Sequence, residues 1–137
     1  MTQKILLVDD DPDMLQILRW ALAPVGKLLE ATDGRAALRL VKTHRPRLIL
    51  LDITMPGMGG IEVLKAARLL DPTVIVVMLT GQNDISVAKE ALDNGARAYI
   101  TKPFDDEFLC AEVSRLLEKQ DAKAERVAGR PWRVLPS

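Results

Sequence analysis

The chain has 137 residues, 48% of them apolar, with 19 Lys plus Arg balanced by 19 Asp plus Glu. This length suits one domain with a real core, and zero formal charge gives no whole-molecule signal for general nucleic-acid binding. A single cysteine, Cys110, excludes an internal disulfide framework and fits a reducing compartment.

The first apolar run, Lys4 to Val8, stops at Asp9, far short of a signal-peptide core or the roughly 20 residues of a membrane span. A cytoplasmic protein without membrane attachment is expected. Further short apolar runs at Lys27 to Ala31, Arg47 to Leu51, Thr73 to Leu79 and Arg97 to Ile100 read as strands. Between them lie stretches of helical period, which is the pattern of an α/β protein with a parallel sheet. The runs LILL and VIVVML lack polar alternation, so helices should cover both faces of the sheet.

The helices follow in turn. Met14, Ile17, Leu18 and Ala21 mark the first, and Trp20 is expected to serve its packing. Asp33-Gly34 opens a second, ending near Arg45-Pro46. Ile61, Leu64, Ala67 and Leu70 mark a third, and Ile85, Ala88 and Leu92 a fourth that closes at Asp93-Asn94-Gly95. A fifth starts at Asp105 and carries Phe108, Leu109, Val113, Leu116 and Leu117 on one side, with Cys110 packed or partly packed. From Asp121 the apolar period fades, and Gly129, Pro131 and Pro136 oppose a regular helix. Residues 1–120 therefore read as the domain and 121–137 as a tail or linker, in which Trp132 has no assigned partner.

Ligands of an open parallel sheet bind beyond the carboxyl ends of its strands. Those ends carry Asp9-Asp10-Asp11, Asp52, Thr80-Gly81 and Thr101-Lys102-Pro103. Asp11 precedes Pro12 and reads as a helix N-cap. Asp9 and Asp10, with Asp52, offer oxygens to a hard cation such as Mg2+, which would relieve the repulsion among neighbouring carboxylates. A nucleotide or flavin cradle would want glycines after the first strand, and that loop is acidic instead. The lone histidine, His44, falls at a helix end away from this edge and reads as a solvated residue rather than a phosphoryl donor.

VDDD, LLDITMPGMGG, VVMLTG and AYITKPF, in this order and spacing, resemble the receiver domain of two-component response regulators over about residues 3–120. The resemblance implies a flavodoxin-like (βα)5 fold, a five-stranded parallel sheet of order 2-1-3-4-5, which places the first and third strands side by side. It implies that Asp52 accepts a phosphoryl group from a phosphohistidine on a sensor histidine kinase or phosphotransfer protein. Mg2+ would be held by Asp10, Asp52 and the backbone carbonyl of Thr54, with Asp9 helping directly or through water. Thr80 and Lys102 would contact the phosphoryl group, and Tyr99 would switch with Thr80. The face of the fourth helix, fifth strand and fifth helix would then signal to a downstream target, and a homodimer is left open. Lys102-Pro103 follows the family's cis pattern. Gly59 departs from the commoner Asp, while Thr54 and Gln82 border the path of a hydrolytic water. Gly81 keeps the small side chain expected beside the phosphate.

On this reading the chain is a signalling phosphoacceptor rather than an enzyme with an external substrate. Two other classes compete. A Mg-dependent phosphatase with an aspartyl-phosphate intermediate wants an Asp two residues after the nucleophile, where Thr54 stands. A pure interaction module has no use for Asp9, Asp10, Asp52, Thr80 and Lys102 together. Nothing in the tail resembles a helix-turn-helix or basic recognition helix, so direct nucleic-acid contact by this chain is not expected.

Overall fold

The computed structural model describes residues 3–55, 57–81 and 85–125. Five strands alternate with five helices: β1 (Lys4–Val8), α1 (Pro12–Leu22), β2 (Lys27–Ala31), α2 (Gly34–His44), β3 (Leu48–Asp52), α3 (Gly60–Leu70), β4 (Ile75–Thr80), α4 (Ile85–Asp93), β5 (Ala98–Thr101) and α5 (Asp106–Glu125). The sheet is wholly parallel in the order β2-β1-β3-β4-β5. It is the flavodoxin-like arrangement that the family resemblance implies.

Every residue of β3 and β4 is buried, which accounts for their lack of polar alternation. Leu6, Val8, Ile49, Leu51, Val76 and Met78 pack towards α2, α3 and α4. The alternate residues Ile5, Leu7, Leu48, Leu50, Ile75, Val77 and Leu79 pack towards α1 and α5. Each fully buried aliphatic side chain contributes roughly 1.5–3 kcal/mol by leaving water.

The first two strands have the expected bounds, whereas β3, β4 and β5 end one residue later than the apolar runs suggest. Pairing carries them on: Asp52 aligns with Leu79, and Thr80 with Thr101. Polar residues thus complete three strands because neighbouring backbone, not side-chain polarity, ends the ladder.

Caps fix the helix starts. Asp11 Oδ1 accepts from the N–H of Asp13, Asp33 Oδ1 from that of Ala36, and Asp105 Oδ2 from that of Phe108. Gly95 closes the turn after α4 at φ 104°, where its lack of a side chain matters twice, since an added Cβ would also meet the Arg68 side chain at 2.8 Å.

Two packing expectations are corrected. Trp20 is 69% exposed. The buried arc of α1 is Leu15, Leu18, Ala21 and Leu22, and at about 100° per residue Trp20 lies on the opposite side. Phe108 is likewise half exposed, because the arc set by Leu109, Val113, Leu116 and Leu117 turns away from it. α5 also runs on to Glu125, so residues 121–125, read as tail, are helical. The remaining tail residues, with Gly129, Pro131, Trp132 and Pro136, lie outside the described residues, as do Pro56 and Gln82.

Candidate functional site

β1 and β3 are neighbours in register, with Val8 beside Leu51, so the chain delivers Asp9 and Asp52 to the same edge one step further on. Both carboxylates are buried, at 1% and 5% exposure, while Asp10 is exposed. One oxygen from each of the three can be chosen so that all lie within 4.8 Å of one another.

The two buried carboxylates are held differently. Asp9 Oδ1 accepts from the backbone N–H of Asp11 at 2.9 Å, which fixes the side chain, but its buried Oδ2 has no hydrogen-bond partner. Asp52 Oδ1 accepts from the N–H of Thr54 at 3.3 Å. Lys102 reaches in from the end of β5, anchored by its own N–H to the Thr80 carbonyl at 2.8 Å. Its ammonium stands 3.7 Å from Asp9 Oδ2 and 3.6 Å from Asp52 Oδ1, forming ion pairs beyond hydrogen-bond length.

One ammonium does not balance this group. Burial is the main cause that lifts the Asp9 carboxyl above its ordinary range, and Asp52 and Asp10 add to it against the Asp11 N–H and Lys102. Asp52 is raised for the same principal reason, with Lys102 and the Thr54 N–H opposing and Asp10 reinforcing. A buried carboxylate oxygen that accepts no hydrogen bond is costly, and the distant Lys102 ammonium leaves a place for a further cation. The oxygen-only donor set suits a hard divalent ion such as Mg2+.

Thr80 is fully buried at the end of β4, its hydroxyl donating to the Gly81 carbonyl at 3.2 Å. Tyr99 is half-buried on β5 beside Met78. Because side chains alternate along strands, Tyr99 and Thr80 face the same side of the sheet, two residue pairs apart. Tyr99 also lines a cleft of about 280 Å3 with Phe104 and Phe108. The Lys102–Pro103 peptide bond is cis.

Asp9, Asp10, Asp52, Thr54, Thr80 and Lys102, all singled out in the sequence, thus meet at one edge. Asp11 stays outside as a cap, and His44 lies at the far end of α2, bonded through Nδ1 to the Thr43 hydroxyl. Gly60 was legible only as a letter in a motif. An added Cβ there would meet Ile53 Cα at 2.7 Å and the Asp52 carbonyl oxygen at 2.8 Å. The start of α3 is therefore pressed against the backbone that carries Asp52.

A five-stranded 2-1-3-4-5 sheet with a carboxylate cluster and a lysine at its carboxyl edge defines a class of signalling domain. Residues 5–114 match the family described as response regulator receiver domain, and the chain belongs to that family. The chain is 40% identical over 130 residues to the DNA-binding response regulator MtrA of Mycolicibacterium smegmatis, covering 93% of this chain and 57% of the relative. It is 34% identical to sporulation initiation phosphotransferase F of Bacillus subtilis, covering 85% of this chain and 95% of the relative. Among solved structures, a CheY-like receiver domain protein from Methanospirillum hungatei superposes with TM-score 0.85 at 29% identity, covering 90% and 99% of the two chains. The chain spans little more than half the length of the MtrA relatives it matches.

Proposed function

We propose that this receiver accepts a phosphoryl group on Asp52 and signals by a change of shape. The observation that carries the reading is the buried Asp9–Asp52 pair, joined by Asp10 and under-neutralised by Lys102 alone.

Asp9, Asp10, Asp52 and the Thr54 carbonyl would hold Mg2+, which when bound supplies positive charge for the carboxylates and for the incoming phosphoryl oxygens. An Asp52 carboxylate oxygen attacks phosphorus in line. The new P–O bond forms as the P–N bond of the donor phosphohistidine breaks, and the electron pair leaves with the imidazole. Asp52 is held for this step by the Thr54 N–H and by its place at the end of β3. Lys102 stands where its ammonium can follow charge from the carboxylate to the phosphoryl oxygens, a matter of positioning and electrostatics rather than proton transfer. The donor is a sensor histidine kinase or phosphotransfer protein, and the chain catalyses only its own phosphorylation and dephosphorylation.

The Thr80 hydroxyl, bonded to Gly81 in this state, turns to donate to a phosphoryl oxygen. Tyr99, on the same sheet face, follows into the space released. The α4–β5–α5 face is thereby biased between two arrangements, a local charge event read at a distance. Residues 1–120 act as the receiver in the cytoplasm, with 121–137 as a tail or linker whose first residues, to Glu125, extend α5.

The test is incubation with acetyl phosphate and Mg2+, followed by intact-mass measurement. One labile phosphoryl adduct is expected, absent from Asp52→Asn and in chelator. Continuous turnover of phosphate without an adduct would favour a phosphatase, and no reaction at all would leave an interaction module.

A further inference from the structure

The helices of this fold start at the acidic edge, and α1, α3 and α5 place Asp13, Glu62, and Asp106 with Glu107 in their first turns, as the helix dipole favours. Helix α2, like α4, holds no acid in its first turn; its only acidic group there is the N-cap Asp33, and Arg35 follows directly after Gly34. Within α2 there is no acidic residue at all.

Arg35, Arg39 and Lys42 are all exposed and, at three-to-four spacing, fall on one face within about 60° of each other. No hydrogen bond or ion pair engages these three side chains among the described residues. The dipole accounts for Lys42 in the last turn, but not for Arg35 or Arg39. Like charges at this spacing repel, so the stripe is unfavourable to the isolated helix and unexplained by its stability.

The composition of the face indicates what would cover it. Among the described residues the exposed large apolar ones are Ile17, Trp20, Leu69, Ile85, Leu92 and Phe108, none of them on α2. A protein partner normally docks around an apolar or aromatic centre, which α2 does not offer. Cations on successive turns with no apolar anchor suit a phosphate backbone, where affinity comes from counterion release and needs no base contact. We propose that the outer face of α2 is a sequence-independent contact for the phosphate backbone of duplex nucleic acid, carried by Arg35, Arg39 and Lys42. The balanced charge of the whole chain conceals this local stripe. The interaction is independent of Asp52 and of the reading given for it.

The experiment is fluorescence anisotropy of a labelled random-sequence duplex titrated with the full chain at several salt concentrations. Arg35→Gln/Arg39→Gln/Lys42→Gln should lower the steepness of log affinity against log salt by roughly 2.7, about 0.9 for each phosphate that is no longer neutralised. Circular dichroism confirms that the variant is folded, and Arg35→Lys/Arg39→Lys should keep most of the binding. Lys65→Gln/Lys89→Gln, on other helices, should leave it unchanged. No duplex binding at low salt, or binding equal in wild type and triple variant, overturns the proposal. So does binding of polyglutamate more tightly than of the duplex at matched charge and salt, which would mark an acidic protein surface as the partner.

Discussion

The ammonium of Lys102 lies 3.6 Å from Oδ1 of Asp52, close enough to pair with it and too far to hydrogen bond. It stands at almost the same distance from Asp9 Oδ2, so one cation is shared between two buried carboxylates. A shared, loosely held cation is free to shift towards new negative charge at little cost. Lys102→Ala should therefore slow formation of the Asp52 adduct by roughly a hundred-fold, the loss typical of one charge-stabilising donor. Stopped mass-spectrometric time courses with acetyl phosphate measure this, and an unchanged rate would remove Lys102 from the chemistry.

The carboxylates also make stability depend on pH. Asp9 and Asp52 are raised above the ordinary 3.8, chiefly by burial, so the folded protein keeps protons that the unfolded chain has released. With fewer protons bound in the unfolded state, metal-free stability should fall as pH climbs from 3.8 through the raised values. Asp9→Asn removes one of the two buried charges that share Lys102 and should be more stable than wild type at neutral pH in chelator. Saturating Mg2+ should reverse the order, adding about 2.7 kcal/mol to the wild type at a hundred-fold excess over Kd. Urea melts at stepped pH, with and without Mg2+, check both signs.

Gly60 tests whether the start of α3 positions the acceptor. A methyl group there meets backbone atoms of Asp52 and Ile53 rather than a flexible side chain, so the backbone must move. Gly60→Ala should fold, with reduced stability, and lose most phosphorylation, whereas Gly59→Ala, with open space around its Cα, should lose little. Melting temperature and adduct yield, measured on both variants, separate the two effects.

Thr80→Val keeps the shape of a fully buried side chain and deletes its hydroxyl, at a cost of about 1 kcal/mol for the bond to Gly81. The variant should still take phosphate on Asp52, more slowly, but the amide shifts that phosphorylation produces along α4, β5 and α5 should vanish. Proton–nitrogen correlation spectra before and after acetyl phosphate would show it. Undiminished shifts would detach Thr80 from the switch.

Much of this site was legible because its chemistry falls at strand ends. The apolar runs that mark β1, β3 and β4 also say where Asp9, Asp52 and Thr80 must emerge, and only the strand order was needed to bring them together. Packing was less legible where helical period was ambiguous. Trp20 and Phe108 look like core residues by type, but each lies off the arc that its neighbours bury, and a single sequence fixes such an arc only to within a residue or so. The lack of a hydrogen bond to Oδ2 of Asp9 had no signal in the sequence at all, since it arises from the Asp11 N–H engaging one oxygen and burial keeping donors from the other.

The central claim is that a carboxylate oxygen of Asp52, and no other group at this edge, receives the phosphoryl group. Borohydride reduces an acyl phosphate to an alcohol, so treatment of the phosphorylated chain followed by peptide sequencing marks the acceptor permanently. Homoserine at position 52 alone is the predicted result. Homoserine at position 9 or 10, or a borohydride-resistant phosphate on Thr80, would contradict the account.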